Sequence, residues 1–253
     1  MELAGKVAVV TGASRGLGQA IARKLASQGA LIAVNYAGNH AAAEATVARI
    51  AAAGGQAFPL QAKLRGQAEA EALRDRLDAA LAARGLPPRI DILVNNIGGG
   101  EYGTIRDADE AFYDTVFDNN CRAAFFLTRV LESRINDFGR VVNLSSAGSR
   151  LTDPGIIVYT MAKAAVEAFT RVLAADLGPR GITVNAVAPG FTAGETNAYI
   201  VDDPEKAAPV IAATALRRFG QPEEIADIVY AFAGPLGRWV TAQTVEASGG
   251  FKL

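Results

Sequence analysis

The sequence predicts an α/β fold: a doubly wound parallel sheet of about seven strands flanked by helices on both faces. Three observations predict it. Seven strand-sized apolar runs recur along the 253 residues. Most lack polar alternation, as in strands buried on both faces. Between them lie amphipathic stretches of helical length, and a β-α rhythm brings right-handed crossovers and a parallel sheet.

Taken in order, the strand runs are VAVV (7–10), LIAV (31–34), AFPL (57–60), ILVN (92–95), VVNL (141–144), TVNAVA (183–188) and TVEA (244–247). Helices are expected over 16–29, 40–55, 68–85, 111–135 and 159–178, several of them closed by a glycine as C-terminal caps are. No linker or low-complexity block interrupts the rhythm, so residues 1–253 are expected to form one domain. The exception is 191–222, rich in Gly, Pro and Asp, whose first part, about 191–215, is expected to be a substrate lid.

Composition narrows the function classes. With 50% hydrophobic and 20% charged residues the chain can bury a core and is not disordered. A formal net charge of -1 supplies no basic field for nucleic acid or an anionic membrane. The N-terminal apolar run is interrupted by Glu2 and Lys6, which argues against a secretory or membrane segment. The lone Cys121 can form no internal disulfide, which is compatible with a cytoplasmic setting. Only one histidine, His40, is present, so an enzyme built on this chain needs another proton carrier.

Directly after the first strand comes TGASRGLG, with Gly12, Gly16 and Gly18 leading into a helix. Glycines at that position let backbone N–H groups and a helix N-terminus approach a pyrophosphate. No Lys-Ser/Thr pair follows, which excludes a phosphate-transfer loop. About twenty residues on, where an acid would bind the ribose hydroxyls of NAD, stand Asn35 and Tyr36. Asn35 is expected to donate to a 2′-phosphate and Arg15 to neutralise it, so NADP (NADPH) is favoured over NAD.

Tyr159 and Lys163 are four residues apart at the start of a predicted helix, which stacks them on one face. An ammonium beside a phenol favours the phenolate and brings its proton within reach of carbonyl chemistry. Upstream, VVNLSS ends a strand in hydroxyls at the ligand-bearing edge.

In order the chain shows TGASRGLG, DILVNNIG (91–98), Asn120, VVNLSS (141–146), YTMAK (159–163), APG (188–190) and RFGQPEEIA (218–226). This ordered set resembles the short-chain dehydrogenase/reductase family, end to end and at its single-domain length, and is similar to 3-oxoacyl-thioester reductases. The resemblance implies a Rossmann-like fold and an oxidoreductase moving hydride between NADP(H) and a ketone or secondary alcohol. It places the catalytic set on Asn120, Ser146, Tyr159 and Lys163. Tyr159 is the general acid/base, and Lys163 also binds the nicotinamide ribose. Ser146, thirteen residues before Tyr159, steadies the substrate oxygen, with Ser145 turned to the other side of the sheet and Ser149 in the loop. Asn120, chosen over Asn119 by alignment to the family's helix, holds a water of the proton relay. Cofactor contacts are implied for Gly12, Ser14, Arg15, Gly16, Leu17, Gly18, Asn35, Tyr36, Leu64, Asn96, Ile97, Gly98, Tyr159, Lys163, Pro189, Gly190 and Thr192. No metal is expected, the partner is a small carbonyl or alcohol, and the family's habit is a homotetramer.

Three positions depart from the pattern. Ile97 replaces the usual alanine of NNAG. Lys63-Leu64 stands where Asp-Val contacts the adenine, and a lysine cannot accept from its amine. Gly194 occupies the position of a carboxamide-binding threonine, so Thr192 is expected to serve instead. A competing reading is a nucleotide-sensing or scaffold protein that uses the fold without turnover; the complete Asn-Ser-Tyr-Lys set argues against it.

Overall fold

A computed structural model describes residues 1–253. Its strands are β1 (Val7–Val10), β2 (Leu31–Tyr36), β3 (Gln56–Gln61), β4 (Ile90–Asn95), β5 (Ile135–Leu144), β6 (Thr183–Pro189) and β7 (Thr244–Ala247). They form one sheet in the order β3-β2-β1-β4-β5-β6-β7, and every pairing is parallel. The chain winds outward from β1 to β3, then returns beside β1 with β4. The crevice at the strand C-termini where this reversal occurs is where open parallel sheets bind ligands.

The helices are α1 (Gly16–Ser27), α2 (His40–Ala52), α3 (Gln67–Ala82), α4 (Glu110–Phe117), α5 (Ala123–Leu131), α6 (Ile157–Leu177), α7 (Ala198–Val201), α8 (Pro204–Ala213) and α9 (Pro222–Ala233). They cover both faces, which explains the unalternated strands. Ala8, Val10, Ile32, Val34, Ile92 and Val94 pack with Ile21 and Leu25 of α1 and Val229 and Phe232 of α9. Their neighbours Val7, Val9, Ala33 and Leu93 pack on the other face with Leu73 and Leu77 of α3 and Leu127 of α5. The side chains do alternate, but both destinations are dry, so both must be apolar.

Polar groups cross the middle of this apolar sheet. Asn95 of β4 donates to Thr128 of α5 at 3.0 Å and to Asn143 of β5 at 2.8 Å. Asn143 donates in turn to Thr170 of α6 at 2.9 Å. All four side chains are buried. The ladder therefore ties two strands to the two helices that flank the cleft.

Two sequence expectations, on the 111–135 helix and the start of β5, are corrected here, and two segments gain detail. The helix expected over 111–135 is four pieces, with a π-helical turn at Asp118–Arg122 between α4 and α5 and a 3-10 turn at Glu132–Arg134. β5 begins at Ile135, six residues before the apolar run, because its first half lies at a partly exposed end where polar residues are tolerated. α9 forms after RFGQ, started by Pro222 and a Gln221–Glu224 capping box. The segment after β6 is folded, holding α7 and α8; its start pairs with Gly220 and its end with the C-terminal Gly249–Lys252.

Asn143→Ala removes one of the two acceptors of the Asn95 amide and the donor to Thr170. Urea denaturation is expected to show a loss of about 2–3 kcal/mol; a change below about 0.5 kcal/mol contradicts a structural role for the ladder.

Candidate active site

The ends of β1, β2, β4, β5 and β6 border a cleft of about 710 Å³, roofed by the segment after β6. At one end the chain after β1 turns at Gly12 and Gly16, whose φ angles of 59° and 54° favour glycine. Gly18 packs so closely that a Cβ there would meet the Gly12 carbonyl oxygen at 2.3 Å. Where α2 and α4 are capped by Asn39 and Asp109, α1 has no side-chain cap and no acid in its first turn. Its N-terminal amides are thus left for an anion.

Asn35 does not fill its expected role. It is fully buried, and its two amide protons go to the carbonyls of Leu60 and Ala62, both at 3.1 Å, while its oxygen accepts from Gly12 N at 3.3 Å. It braces the glycine turn against β3 and has no proton to offer a phosphate. Arg15 lies on the rim, exposed, and pairs with Glu195 across the cleft at 3.4 Å. Lys63, Leu64 and Tyr36 complete this end, with Tyr36 Oη sharing a 2.7 Å hydrogen bond with His40 Nδ1. No acid stands at the end of β2.

Asn96 ties β4 to the glycine turn, donating to Thr11 O at 2.8 Å, and Thr11 Oγ1 accepts the main-chain N–H groups of Asn96 and Ile97. Ser14, Leu17, Ile97, Gly98, Pro189, Gly190 and Thr192 all line the cleft. Gly194 has a φ of 137°, which explains why a threonine is disfavoured there. Thr192 is buried nearby and donates to Gly190 O at 3.2 Å, so toward a ligand its hydroxyl can only accept.

At the other end, three serines resolve into two roles. Ser145 and Ser149 both donate to one carboxylate oxygen of Glu167 on α6, at 2.7 Å and 2.6 Å. Ser146 accepts from Gly148 N at 3.0 Å and keeps its own proton beside Tyr159. Glu167 is a residue that motif reading missed, although Tyr159, Lys163 and Glu167 share an i, i+4 spacing. Gly148 was missed too; a Cβ there would crowd Ser146 Oγ at 3.2 Å and the Tyr159 ring at 3.3 Å.

Lys163 lies beneath, buried, donating to Leu144 O at 2.9 Å. Its Nζ is 5.7 Å from the centroid of the Tyr159 ring. Burial depresses the ammonium to about 8. Burial also pushes the Tyr159 phenol above its ordinary value, opposed by the Ser146 hydrogen bond. The expected lowering of the phenol by Lys163 is not seen here: burial raises it and only the Ser146 hydrogen bond opposes that.

Asn120 sits in the π-helical turn, buried, while Asn119 borders the cleft. Both amide protons of Asn120 are used, on Gly99 O and Val116 O at 2.9 Å, and its Oδ1 accepts from Gly99 N at 3.2 Å. It clamps the loop after β4, and its amide has no proton left for a relay water. A Cβ on Gly98 would meet Asn120 Oδ1 at 2.6 Å and Lys163 Nζ at 2.9 Å, so that glycine is required where the two heads converge. Cys121 is half-buried, and burial raises its thiol, which makes it a poor nucleophile.

Burying Lys163 has a measurable cost. Below about pH 8 it is charged in both states and folding bears the full penalty; toward 10.5 the folded protein sheds the proton first, so stability rises with pH through that window. Lys163→Met is expected to be more stable than the wild type at pH 7 by about 1–3 kcal/mol, with the difference shrinking by pH 10. Urea titrations at both pH values check this; equal stability at pH 7 contradicts it.

Comparison with known proteins bears on the family and the fold. A family model described as enoyl-(acyl carrier protein) reductase matches residues 12–252. An uncharacterised oxidoreductase of Methylorubrum extorquens is 40% identical over 252 residues, covering 99% of both chains. The 3-oxoacyl-[acyl-carrier-protein] reductase of Synechocystis sp. is 37% identical over 255 residues, covering 99% of this chain and 98% of its own. Among solved structures, the promiscuous reductase LugOII, which catalyses keto-reduction at C1 in lugdunomycin biosynthesis, superposes with a TM-score of 0.95 at 39% identity over 100% of both chains. The angucycline C-6 ketoreductase LanV with bound NADP gives 0.94 at 36% identity, over 99% of this chain and 97% of that one. Whole-length likeness in sequence and structure, on a parallel sheet with a glycine turn and a Tyr-Lys pair, makes this chain a member of the short-chain dehydrogenase/reductase family of oxidoreductases.

Proposed function

We propose that the protein is an NADP-dependent ketoreductase in which Tyr159 is the general acid/base. The observation that carries this reading is the isolation of Ser146: Glu167 takes the protons of Ser145 and Ser149 and leaves one hydroxyl beside the half-buried Tyr159. Two O–H groups then converge where a carbonyl oxygen can sit. The NADP-bound state of LanV and the keto-reductions named for LanV and LugOII support the same class.

The donor set fits a dinucleotide. Amides of Gly16, Leu17 and Gly18 at the uncapped start of α1, with Ser14, would hold the pyrophosphate. Arg15, paired with Glu195 on the rim, and Lys63 are the cations of this end, and no carboxylate follows β2 beside Tyr36. Leu64 would pack on the adenine, Ile97 and Gly98 on the adjoining ribose, and Pro189, Gly190 and Thr192 beside the carboxamide. When bound, NADPH supplies the hydride.

In the reduction direction Ser146 donates to the carbonyl oxygen and orients it. Tyr159 Oη then delivers its proton as negative charge develops on that oxygen. The phenol, raised by burial, holds the proton that reduction requires. Lys163 would hold the nicotinamide ribose, and its ammonium, 5.7 Å from the ring centroid, offsets the negative charge that Tyr159 acquires on giving up its proton. Asn120 acts as a positioning residue through Gly99.

Tyr159→Phe removes only the transferable proton. It is expected to lower kcat about 10³-fold while the NADPH dissociation constant stays within about threefold; near-wild-type turnover would falsify the assignment. Arg15→Ala is expected to cut the NADPH-over-NADH ratio of kcat/KM by roughly 10–100-fold, the worth of a charge-assisted phosphate contact. A wild-type enzyme that prefers NADH contradicts the cofactor choice.

A further inference from the structure

The two ends of the cleft differ in the charge of their walls. Arg15, Lys63 and Glu195 line the nucleotide end and its rim, and Lys163 lies under the floor with its Nζ on Leu144 O. Around Tyr159 the lining is instead Tyr102, Leu151, Ile156, Phe191, Tyr199 and Phe251, with no further charge. Phe191 and Phe251 meet edge to face with centroids 5.2 Å apart.

Two of these rings are not core residues. Tyr102 is 60% exposed and Tyr199 51%, yet their hydroxyls are joined, with Tyr199 Oη donating to Tyr102 Oη at 3.0 Å. Tyr102 belongs to the loop after β4 and Tyr199 to α7, so the bond bridges the mouth of the cleft from the loop to the segment after β6. Two glycines lie close to the rings of Tyr159 and Tyr102 without a side chain to cover them. A Cβ on Gly100 would stand 3.9 Å from the Tyr159 ring, and one on Gly155 would stand 3.7 Å from that of Tyr102.

We propose that Tyr102 and Tyr199 form a clasp that selects neutral ketones with a flat aromatic ring beside the carbonyl. The inference rests on the ketoreductase reading and names the substrate class of the same site. A flat ring can lie against the tyrosine faces while its carbonyl reaches Ser146 and Tyr159, and it loses little conformational freedom on binding. A flexible chain of equal size gives up several rotors for the same contact. An anionic substrate would shed its hydration against walls whose one cation already faces Leu144 O.

The test compares acetophenone with 2-octanone, two neutral eight-carbon methyl ketones, and with acetoacetyl-N-acetylcysteamine, a flexible thioester, all with NADPH. NADPH fluorescence in each variant reports a folded cofactor site independently of turnover. The wild type is expected to favour acetophenone over 2-octanone by about tenfold or more in kcat/KM. Tyr199→Leu, which deletes the ring and the bond, is expected to bring that ratio below about threefold, chiefly through KM. Tyr199→Phe, which deletes only the bond, is expected to fall between. A ratio unchanged in Tyr199→Leu, or a wild-type preference for 2-octanone or the thioester, overturns the clasp and leaves the ketoreductase reading standing. Reduction of none of the probes despite NADPH binding overturns both.

Discussion

Two buried asparagines, Asn95 and Asn143, set the geometry on which the cleft depends. Each unpaired amide in a dry sheet costs about 1–3 kcal/mol, so their partners Thr128 and Thr170 must stay within hydrogen-bond reach. Thr128 lies in α5, directly after the π-helical turn that carries Asn120, and Thr170 lies two turns along α6 from Lys163. Holding those helices in register against β4 and β5 aims the clamp, the ammonium and the phenol at one sheet edge. Directional bonds do here what apolar packing, which tolerates sliding, does less well.

The chemistry of the edge then follows from burial. Desolvation lowers the Lys163 ammonium to about 8, which leaves it charged at neutral pH, and raises the Tyr159 phenol, which stays protonated there. Space for them comes from glycines: Gly98 where Asn120 and Lys163 meet, and Gly148 beside Ser146 and Tyr159. Glu167 completes the arrangement by drawing two of three neighbouring hydroxyls away from the cleft. Stability is given up at Lys163 for the sake of the site, a common trade at catalytic positions.

Much of this was legible in the amino-acid sequence. The apolar runs marked the central strands because both sheet faces are dry there, and the glycine turn, VVNLSS and the Tyr-Lys spacing lie within single local segments. The misses share a different cause: they depend on groups distant in the chain. Asn35 stands at the expected position, yet its amide is taken by β3, 25 and 27 residues on. Ser145 and Ser149 are told apart from Ser146 by Glu167, 22 and 18 residues away. The break at Asp118–Arg122 has no glycine or proline to announce it, and its π-helical turn is of the kind that recurs at functional sites. The Tyr102–Tyr199 bond joins residues 97 apart, and only the fold brings them together.

The central claim is that hydride passes from NADPH to a carbonyl carbon held by Ser146 and Tyr159. Reduction of acetophenone with NADPH deuterated at both C4 positions tests it directly, with the alcohol read by mass spectrometry and NMR. The account predicts one deuterium on the carbinol carbon of every product molecule. Alcohol formed without that deuterium would contradict it.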